Sequence, residues 1–187
     1  MALSFGTDGV RGVAFEQLTE SFTARLGRAA ADALGEKRWV VGRDTRESGP
    51  RLLTAFAAGA AASGAEVVDL GVTPTPAVAY LAALEGCGGV MISASHNSWR
   101  DNGIKLFAAG GLKLSDAQQA AVEARMASAD IPVGDAGPVQ THPSPHDSYR
   151  AGLAQVLEGR DLTGLHVVLD CAHGAATPVA PGVFRDL

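Results

Sequence analysis

The sequence has little cysteine, little basic charge and no long apolar run. Its two cysteines, Cys87 and Cys171, are far apart and lack metal-ligand spacing, so we expect both to be reduced and buried. With 15 Lys and Arg against 20 Asp and Glu, the net charge is −5, which offers no general attraction to nucleic acid or to an anionic membrane. No stretch reaches about 18 apolar residues, and the first residues lack the basic and apolar regions of a secretion signal. These absences favour a cytoplasmic protein with neither a nucleic-acid partner nor a membrane partner.

The composition is that of a folded protein. Hydrophobic residues make up 47% of the 187 residues and charged residues 19%, which excludes a disordered or fibrous chain. A typical domain holds about 100 to 150 residues. The length therefore predicts one full domain and part of another.

Helical and strand patterns alternate along the first hundred residues. The predicted elements are, in order, a helix over 20–34 capped by Thr19, a strand over 39–41, an Ala-rich helix from Pro50 to about Gly64, a strand over 66–70, a helix ending near Glu85, and a strand over 88–92. Such alternation predicts a three-layer α/β/α domain with a mainly parallel, mixed sheet. Ligands of this fold class usually bind beyond the carboxyl ends of the strands.

The second half of the sequence predicts a domain boundary. Residues 130–147 are rich in Pro, Gly and His, which favours a loop or surface ribbon. We place the boundary near Ser148, so that residues 1–148 form the first domain and residues 149–187 begin a second, similar one.

Beyond that boundary, the pattern predicts a helix over 149–157, an apolar strand over 165–169, a turn over 170–176 and the start of another helix. A strand and a helix without a second strand cannot bury their own faces, so we expect the natural protein to continue past Leu187. The strand over 165–169 is expected to pack on the first domain, to pair with a second copy in a homodimer, or to stay mobile.

A polar segment follows the strand over 88–92. It contains a hydroxyl (Ser95), an imidazole (His96), an amide (Asn97) and an ammonium group (Lys105). One interpretation is an ordinary Ser/Asn turn that closes a strand. A Ser-His hydrolase fits poorly, because neighbouring side chains usually point apart and no Gly-x-Ser-x-Gly elbow is present. Phosphoryl transfer fits better.

Two further loops combine glycine with arginine. Residues 5–12 read FGTDGVRG, in which glycines permit close backbone approach and Arg11 offers a planar fork that matches phosphate oxygens. Residues 42–46 read GRDTR. The first loop could instead be a Gly-rich turn with a solvated arginine. The second could be a structural loop in which Asp44 pairs with an arginine, and a surface pair of that kind contributes about 0 to 1 kcal/mol to stability.

Six ordered segments of this sequence together resemble the α-D-phosphohexomutases. They are FGTDGVRG at 5–12, GRDTRESG at 42–49, GVTPTPAVAYL at 71–81, ISASHN at 92–97, DNGIK at 101–105 and DCAHGAA at 170–176. Within that family, the first, fourth and fifth segments resemble the phosphoglucosamine mutase branch. These isomerases interconvert glucosamine 6-phosphate and glucosamine 1-phosphate, which supplies the cell-wall precursor UDP-N-acetylglucosamine.

The resemblance implies a role for each polar residue. Phosphorylated Ser95 would give its phosphoryl group to a phosphorylated hexosamine, forming a bisphosphorylated sugar whose other phosphate returns to Ser95. Mg²⁺ would bind an oxygen of the phosphoserine, and Lys105 would assist proton transfer. Arg11 and Asn97 would hold charge and geometry beside the phosphoryl group, and His96 would shape the loop.

Two departures from the family pattern matter. Ser98 stands where the family usually has proline, which would have fixed one φ angle and restricted Asn97. No Asp-x-Asp-x-Asp run is present, although in the family this run supplies the magnesium carboxylates, so we expect the chain to be inactive alone. The alternatives are a phosphomannomutase/phosphoglucomutase, or a non-catalytic module that binds a phosphosugar or a partner protein.

Overall fold

The computed structural model describes residue 3, residues 9–128 and residues 137–187. The strands are β1 (Val10–Val13), β2 (Arg38–Arg43), β3 (Glu66–Val72), β4 (Gly88–Ile92), β5 (Asp101–Phe107) and β6 (Val139–Thr141). The helices are α1 (Glu20–Leu34), α2 (Gly49–Ala61), α3 (Thr75–Glu85), α4 (Asp116–Ala127), α5 (Pro145–Val156) and α6 (Ala180–Asp186). None of these helices combines the length and the apolar character that a membrane span requires.

All six strands belong to one mixed sheet in the order β1-β5-β4-β2-β3-β6. Strands β4, β2, β3 and β6 run parallel to one another. Strand β5 is antiparallel to both β4 and β1. The predicted mainly parallel, mixed sheet is therefore confirmed. The antiparallel return from β4 to β5 means that the start of β5 lies beside the carboxyl end of β4.

Helices cover both faces of the sheet and complete the predicted three layers. One face packs on α1, α2 and α4 around a core that includes Trp39 and Phe56, whose rings meet edge-on with centroids 5.7 Å apart. The other face packs on α3, and α5 lies against α3. Helix α1 has the predicted bounds because the Thr19 hydroxyl accepts a hydrogen bond from Phe22 N (3.1 Å) and Gly35 ends it with a left-handed φ of 71°.

The segment over 130–147, predicted as a loop or surface ribbon, contains an edge strand and the start of a helix where it is described. Residues 129–136 lie outside the described residues, but β6 adds an edge strand to β3, and α5 begins at Pro145. Helix α5 passes through the predicted boundary near Ser148, and its Tyr149 ring lies 5.7 Å from the Tyr80 ring of α3. The division at residue 148 stays a prediction.

The prediction of a strand over 165–169 is wrong. These residues have no regular secondary structure, and most of their side chains are exposed, Val168 to 85%. A strand needs a neighbour for its backbone hydrogen bonds, and none of the sheet pairings in the described part of the chain involves this segment. The cysteine prediction was half right: both thiols are free and Cys87 is buried, but Cys171 is half-buried.

Candidate active site

The predicted nucleophile lies on a loop at the carboxyl end of β4. This serine loop, residues 93–100, leaves the buried strand and returns into β5. Ser95 is exposed and has a φ of 58°, a left-handed conformation that is uncommon for any residue except glycine. Such backbone is found chiefly where the surrounding structure enforces it, and it clusters at active sites.

The side chains of Ser95 and His96 lie on the same side of the loop. Ser95 Oγ is 3.3 Å from His96 Nδ1. The expectation that these neighbours would point apart is therefore wrong. That expectation assumed extended backbone, whereas Ser95 is left-handed. The third predicted loop residue, Asn97, donates from Nδ2 to the Asp101 carboxylate at 3.1 Å, which ties the loop to the first residue of β5.

Arg46 makes extensive contacts with the serine loop. Its guanidinium donates to the carbonyl oxygens of Ser95 (3.0 Å), Asn97 (2.9 Å) and Asp101 (2.9 Å). A further bond reaches the Ser98 carbonyl. The sequence analysis missed this role. Its only signal was the expectation that Asp44 would pair with an arginine of this segment.

Asp44 lies between Arg46 and the serine loop. Its carboxylate accepts from Arg46 Nε at 2.9 Å and from the Ser93 hydroxyl at 2.6 Å. The Ser93 oxygen in turn accepts from the Ser95 amide at 2.9 Å. The Asp44 and Arg46 side chains are 12% and 10% exposed, so this is not the weak surface pair that was considered from the sequence.

Lys105 lies on β5, the neighbour of β4, and Arg11 lies on β1, one strand further out; neither is among the residues that line the cavity described below. Arg11 lies on β1 opposite Gly103 of β5. A Cβ at Gly103 would be 2.8 Å from the Ser93 carbonyl oxygen and 3.0 Å from Arg11 Cγ, so both groups pack closely against Gly103. Lys105 lies on β5 opposite Met91. Residues 5–8 of the FGTDGVRG segment lie outside the described part.

An open cavity of about 860 Å³ faces the serine loop. Its lining comes from four segments: Asp44, Thr45, Arg46 and Glu47; Pro74, Thr75 and Pro76; Met91, Ser93, Ser95, His96, Asn97 and Trp99; and Ala172, Gly174 and Ala175. Four of the six segments behind the family resemblance thus line one cavity. Trp99, 79% exposed, stands at its edge.

Magnesium was predicted to bind at Ser95 through a phosphate. Among the residues that the structure describes, no group of three or more His, Cys, Asp or Glu side chains could hold a metal ion. The carboxylates of Asp44 and Asp101 already accept hydrogen bonds from Arg46, Ser93 and Asn97. The described donor set therefore does not form a magnesium site by itself, and the phosphate ligand at Ser95 stays a prediction.

The chain is similar to known proteins over nearly its whole length. It is 49% identical over 196 residues to a phosphoglucosamine mutase of Rhodococcus jostii and 51% identical over 201 residues to one of Frankia casuarinae. Each alignment covers 99% of this chain and 44% of the relative, so the chain spans less than half the length of these relatives.

Solved structures show the same fold. A phosphoglucomutase/phosphomannomutase family protein from Burkholderia thailandensis matches with a TM-score of 0.79 at 30% identity, over 97% of this chain and 41% of that protein. The phosphoglucomutase parafusin from Paramecium, in its open form, matches with a TM-score of 0.73 over 98% of this chain and 41% of that protein. At 17% identity, this second match supports the fold alone. Residues 2–132 match the family profile described as phosphoglucomutase/phosphomannomutase, alpha/beta/alpha domain I, and the chain therefore belongs to that family.

Proposed function

We propose that this chain is the first part of a phosphoglucosamine mutase, in which Ser95 carries the phosphoryl group that is transferred. The observation that carries the proposal is Ser95 itself. Its exposed hydroxyl stands on a left-handed residue at the carboxyl end of a parallel strand, and it lines an open cavity. The sequence identity to relatives of that name supports the choice of reaction.

The proposed reaction consists of two transfers, each of a different phosphoryl group. In the first transfer, the bond between phosphorus and Ser95 Oγ breaks while a bond to a free hydroxyl oxygen of glucosamine 6-phosphate forms. The sugar hydroxyl loses its proton, and Ser95 Oγ gains one. In the second transfer, the other phosphate of the bisphosphorylated sugar returns to Ser95, which leaves glucosamine 1-phosphate. No net phosphate is consumed, so the overall reaction is an isomerisation.

The chain's own residues would position and protonate this centre. Asn97 holds the serine loop through its bond to Asp101. Arg11, whose Cγ packs against Gly103 as the Ser93 carbonyl does, would supply positive charge that stabilises the phosphoryl group. We assign proton transfer to Lys105, whose strand neighbour Met91 lines the cavity. His96, 3.3 Å from Ser95 Oγ, would orient that hydroxyl or its phosphate.

A magnesium ion, when bound to the phosphoserine, would neutralise charge on the transferred group. The proposal takes its carboxylate ligands from outside this chain, and the existing hydrogen bonds of Asp44 and Asp101 support this choice. We therefore expect residues 1–187 alone to show no turnover. The proposal also includes a cytoplasmic location, which suits the free thiols of Cys87 and Cys171.

The test combines intact mass with turnover. In the full-length gene product, we expect a substoichiometric phosphate that maps to Ser95, and interconversion of glucosamine 6-phosphate and glucosamine 1-phosphate. Ser95→Ala should abolish both and leave the unfolding midpoint unchanged, because one exposed hydroxyl contributes little to stability. Ser98→Ala, in the same loop and also exposed, is the matched control.

The substrate panel separates the alternatives. Turnover of mannose or glucose phosphates in preference to glucosamine phosphates would assign the phosphomannomutase/phosphoglucomutase activity instead. Phosphosugar binding without turnover or phosphoserine would assign a non-catalytic binding module. Retained mutase activity in Ser95→Ala would overturn the central assignment.

A further inference from the structure

We propose that Arg46 is a positioning residue that sets the conformation of the serine loop, and that it does not bind the phosphate of any substrate. For its catalytic consequence, this inference rests on the proposed function. Its structural part stands on the contacts of Arg46 alone. An arginine beside a phosphoryl-transfer serine would ordinarily be assigned to phosphate binding, because its planar fork matches phosphate oxygens.

The hydrogen-bond inventory of Arg46 argues against phosphate binding. A guanidinium has five N–H donors and no acceptor. Nε donates to Asp44 at 2.9 Å. The two terminal nitrogens make two bonds each: one serves Ser98 and Asp101, and the other serves Ser95 and Asn97. All five donors are therefore used within the protein. A phosphate could bind Arg46 only by displacing a loop carbonyl.

The same contacts fix the backbone on both sides of Ser95. Arg46 holds the Ser95 carbonyl oxygen directly at 3.0 Å. It also pairs with Asp44, which binds the Ser93 hydroxyl, and that hydroxyl accepts from the Ser95 amide. The N–H and the C=O of Ser95 are thus both tied to one ion pair. Left-handed backbone at a residue with a side chain costs of order 1 to 3 kcal/mol, so this conformation requires such outside support.

The composition of the serine loop makes this support more important. A proline after Asn97 would restrict the loop covalently, whereas this chain has Ser98 there, followed by the exposed Trp99 and Arg100. Arg46 binds the carbonyl of Ser98 itself and those of residues on either side. Hydrogen bonds from the largely buried guanidinium of Arg46 therefore restrict the loop in place of a proline.

The first test uses the wild-type 187-residue chain and no variant. By nitrogen-15 NMR, we expect the guanidinium signals of Arg46 to be slowly exchanging and to stay in place when inorganic phosphate is titrated in. Arg51 is the internal control, because its ion pair with Glu20 is about half exposed and should exchange faster. Movement of the Arg46 signals with phosphate, or exchange as fast as that of Arg51, would overturn the proposal.

The second test removes the fork but keeps the charge. Arg46→Lys retains a cation but cannot reach four carbonyls and a carboxylate together. We expect the amides of Ser95, Asn97 and Asp101, which are bonded within the loop, to exchange at least about tenfold faster. The β4 amides should be unchanged, and so should all amides in the control variant Arg51→Lys. An unchanged loop in Arg46→Lys would contradict a positioning role.

The third test connects loop position to rate in the full-length gene product. Misplacement of a nucleophile by about 1 Å can cost about 10²-fold in rate, so we expect Arg46→Lys to lower kcat by about that factor with KM little changed. A residue that merely stabilised the fold would change the unfolding midpoint and leave kcat of the folded enzyme intact. A rise in KM with kcat preserved would indicate phosphate binding and overturn the proposal.

These readouts keep the two proposals separate. If the wild-type product turns over no phosphosugar, the proposed function fails, and the exchange and titration results still decide the role of Arg46. If turnover is present and Arg46→Lys leaves both kcat and loop exchange unchanged, the role of Arg46 fails and the mutase assignment stands.

Discussion

Two apolar runs of five residues, at 88–92 and at 165–169, differ in both secondary structure and burial in this molecule. The first is β4, in which every residue is buried. The second has no regular structure and is mostly exposed. Each run leads into a polar loop, and both loops line the same cavity, through Ser95 on one side and Ala172 on the other. The difference lies in the surroundings of the two runs.

Strand β4 has a partner on each edge and cover on both faces. It pairs with β2 and β5, and its residues pack alternately into the two core clusters. Residues 165–169 have no paired strand in the described structure, and all five are exposed. Apolar composition thus indicates that a segment favours burial, whereas formation of a strand also requires partners for its backbone N–H and C=O groups.

A charge placed in each run should sharpen this comparison most. Val90→Asp puts a carboxylate at a fully buried position of β4 and should cost more than about 4 kcal/mol, enough to abolish cooperative unfolding in a marginally stable domain. Val168→Asp changes a residue that is 85% exposed and should shift stability by less than about 0.5 kcal/mol. Urea denaturation followed by circular dichroism measures both.

Equal effects of the two substitutions would break the comparison. A large loss in Val168→Asp would mean that residues 165–169 are buried in solution. Val90→Ala serves as the control for size, because it removes apolar contact without adding charge and should be intermediate in its effect.

Amide exchange should separate the two runs even without mutation. We expect the amides of 167–169 to exchange at least about 10³-fold faster than those of 90–92, because core strands open only with the whole domain and exposed segments open locally. A dilute sample tests the chain as a monomer. If both runs are protected equally, the later segment is folded by itself, and the predicted boundary near residue 148 loses its support.

Most of the sheet domain could be predicted from its sequence because local signals and burial agree there. The cap at Thr19 and the stop at Gly35 set the observed ends of α1, and the apolar run at 88–92 has the observed bounds of β4. The prediction of a strand over 165–169 was wrong because strand formation depends on hydrogen-bonding partners as well as on apolar composition.

The polar strands were harder to predict. Strands β1 and β5 overlap FGTDGVRG, which was interpreted as a loop, and DNGIK, yet they pair with each other. This places Lys105 next to β4 and Arg11 one strand further out. The role of Arg46 could not be predicted at all. It depends on carbonyl oxygens about fifty residues later, and backbone acceptors have no signature in a sequence.

The partner strand of β4 also provides the next prediction. Lys105→Ala in the full-length gene product should lower kcat by about 10²- to 10⁴-fold, the usual cost of removing a positioned acid-base or charge-stabilising group. Lys113→Ala, an exposed lysine beyond β5, is the matched control and should change kcat little. A loss smaller than tenfold for Lys105→Ala would assign that residue to structure.

The smallest expected effect concerns acid stability and again separates the sheet domain from the tail. Burial alone would raise the pKa of Asp32, but hydrogen bonds from Ser63, Arg28 and Arg125 lower it from 3.8 to about 2. Because the folded pKa lies below the unfolded one, the stabilisation is complete above about pH 4 and is lost as the pH falls towards 2. Asp32→Asn should therefore cost about 1 to 2 kcal/mol at pH 7 and progressively less in acid.

The matched control lies near the exposed run. The pKa of Asp161 is also lowered, first by a hydrogen bond from the Thr163 amide (2.9 Å), but this carboxylate is fully exposed and joins no two elements. Asp161→Asn should leave the unfolding midpoint unchanged at every pH, measured by thermal denaturation from pH 2 to pH 7. Because the Asp32 cluster joins α1 to α4 and to the turn that follows α2, a pH-dependent loss in Asp32→Asn alone would show that cooperative stability is concentrated in the sheet domain. A comparable loss in Asp161→Asn would instead mean that the tail unfolds together with that domain.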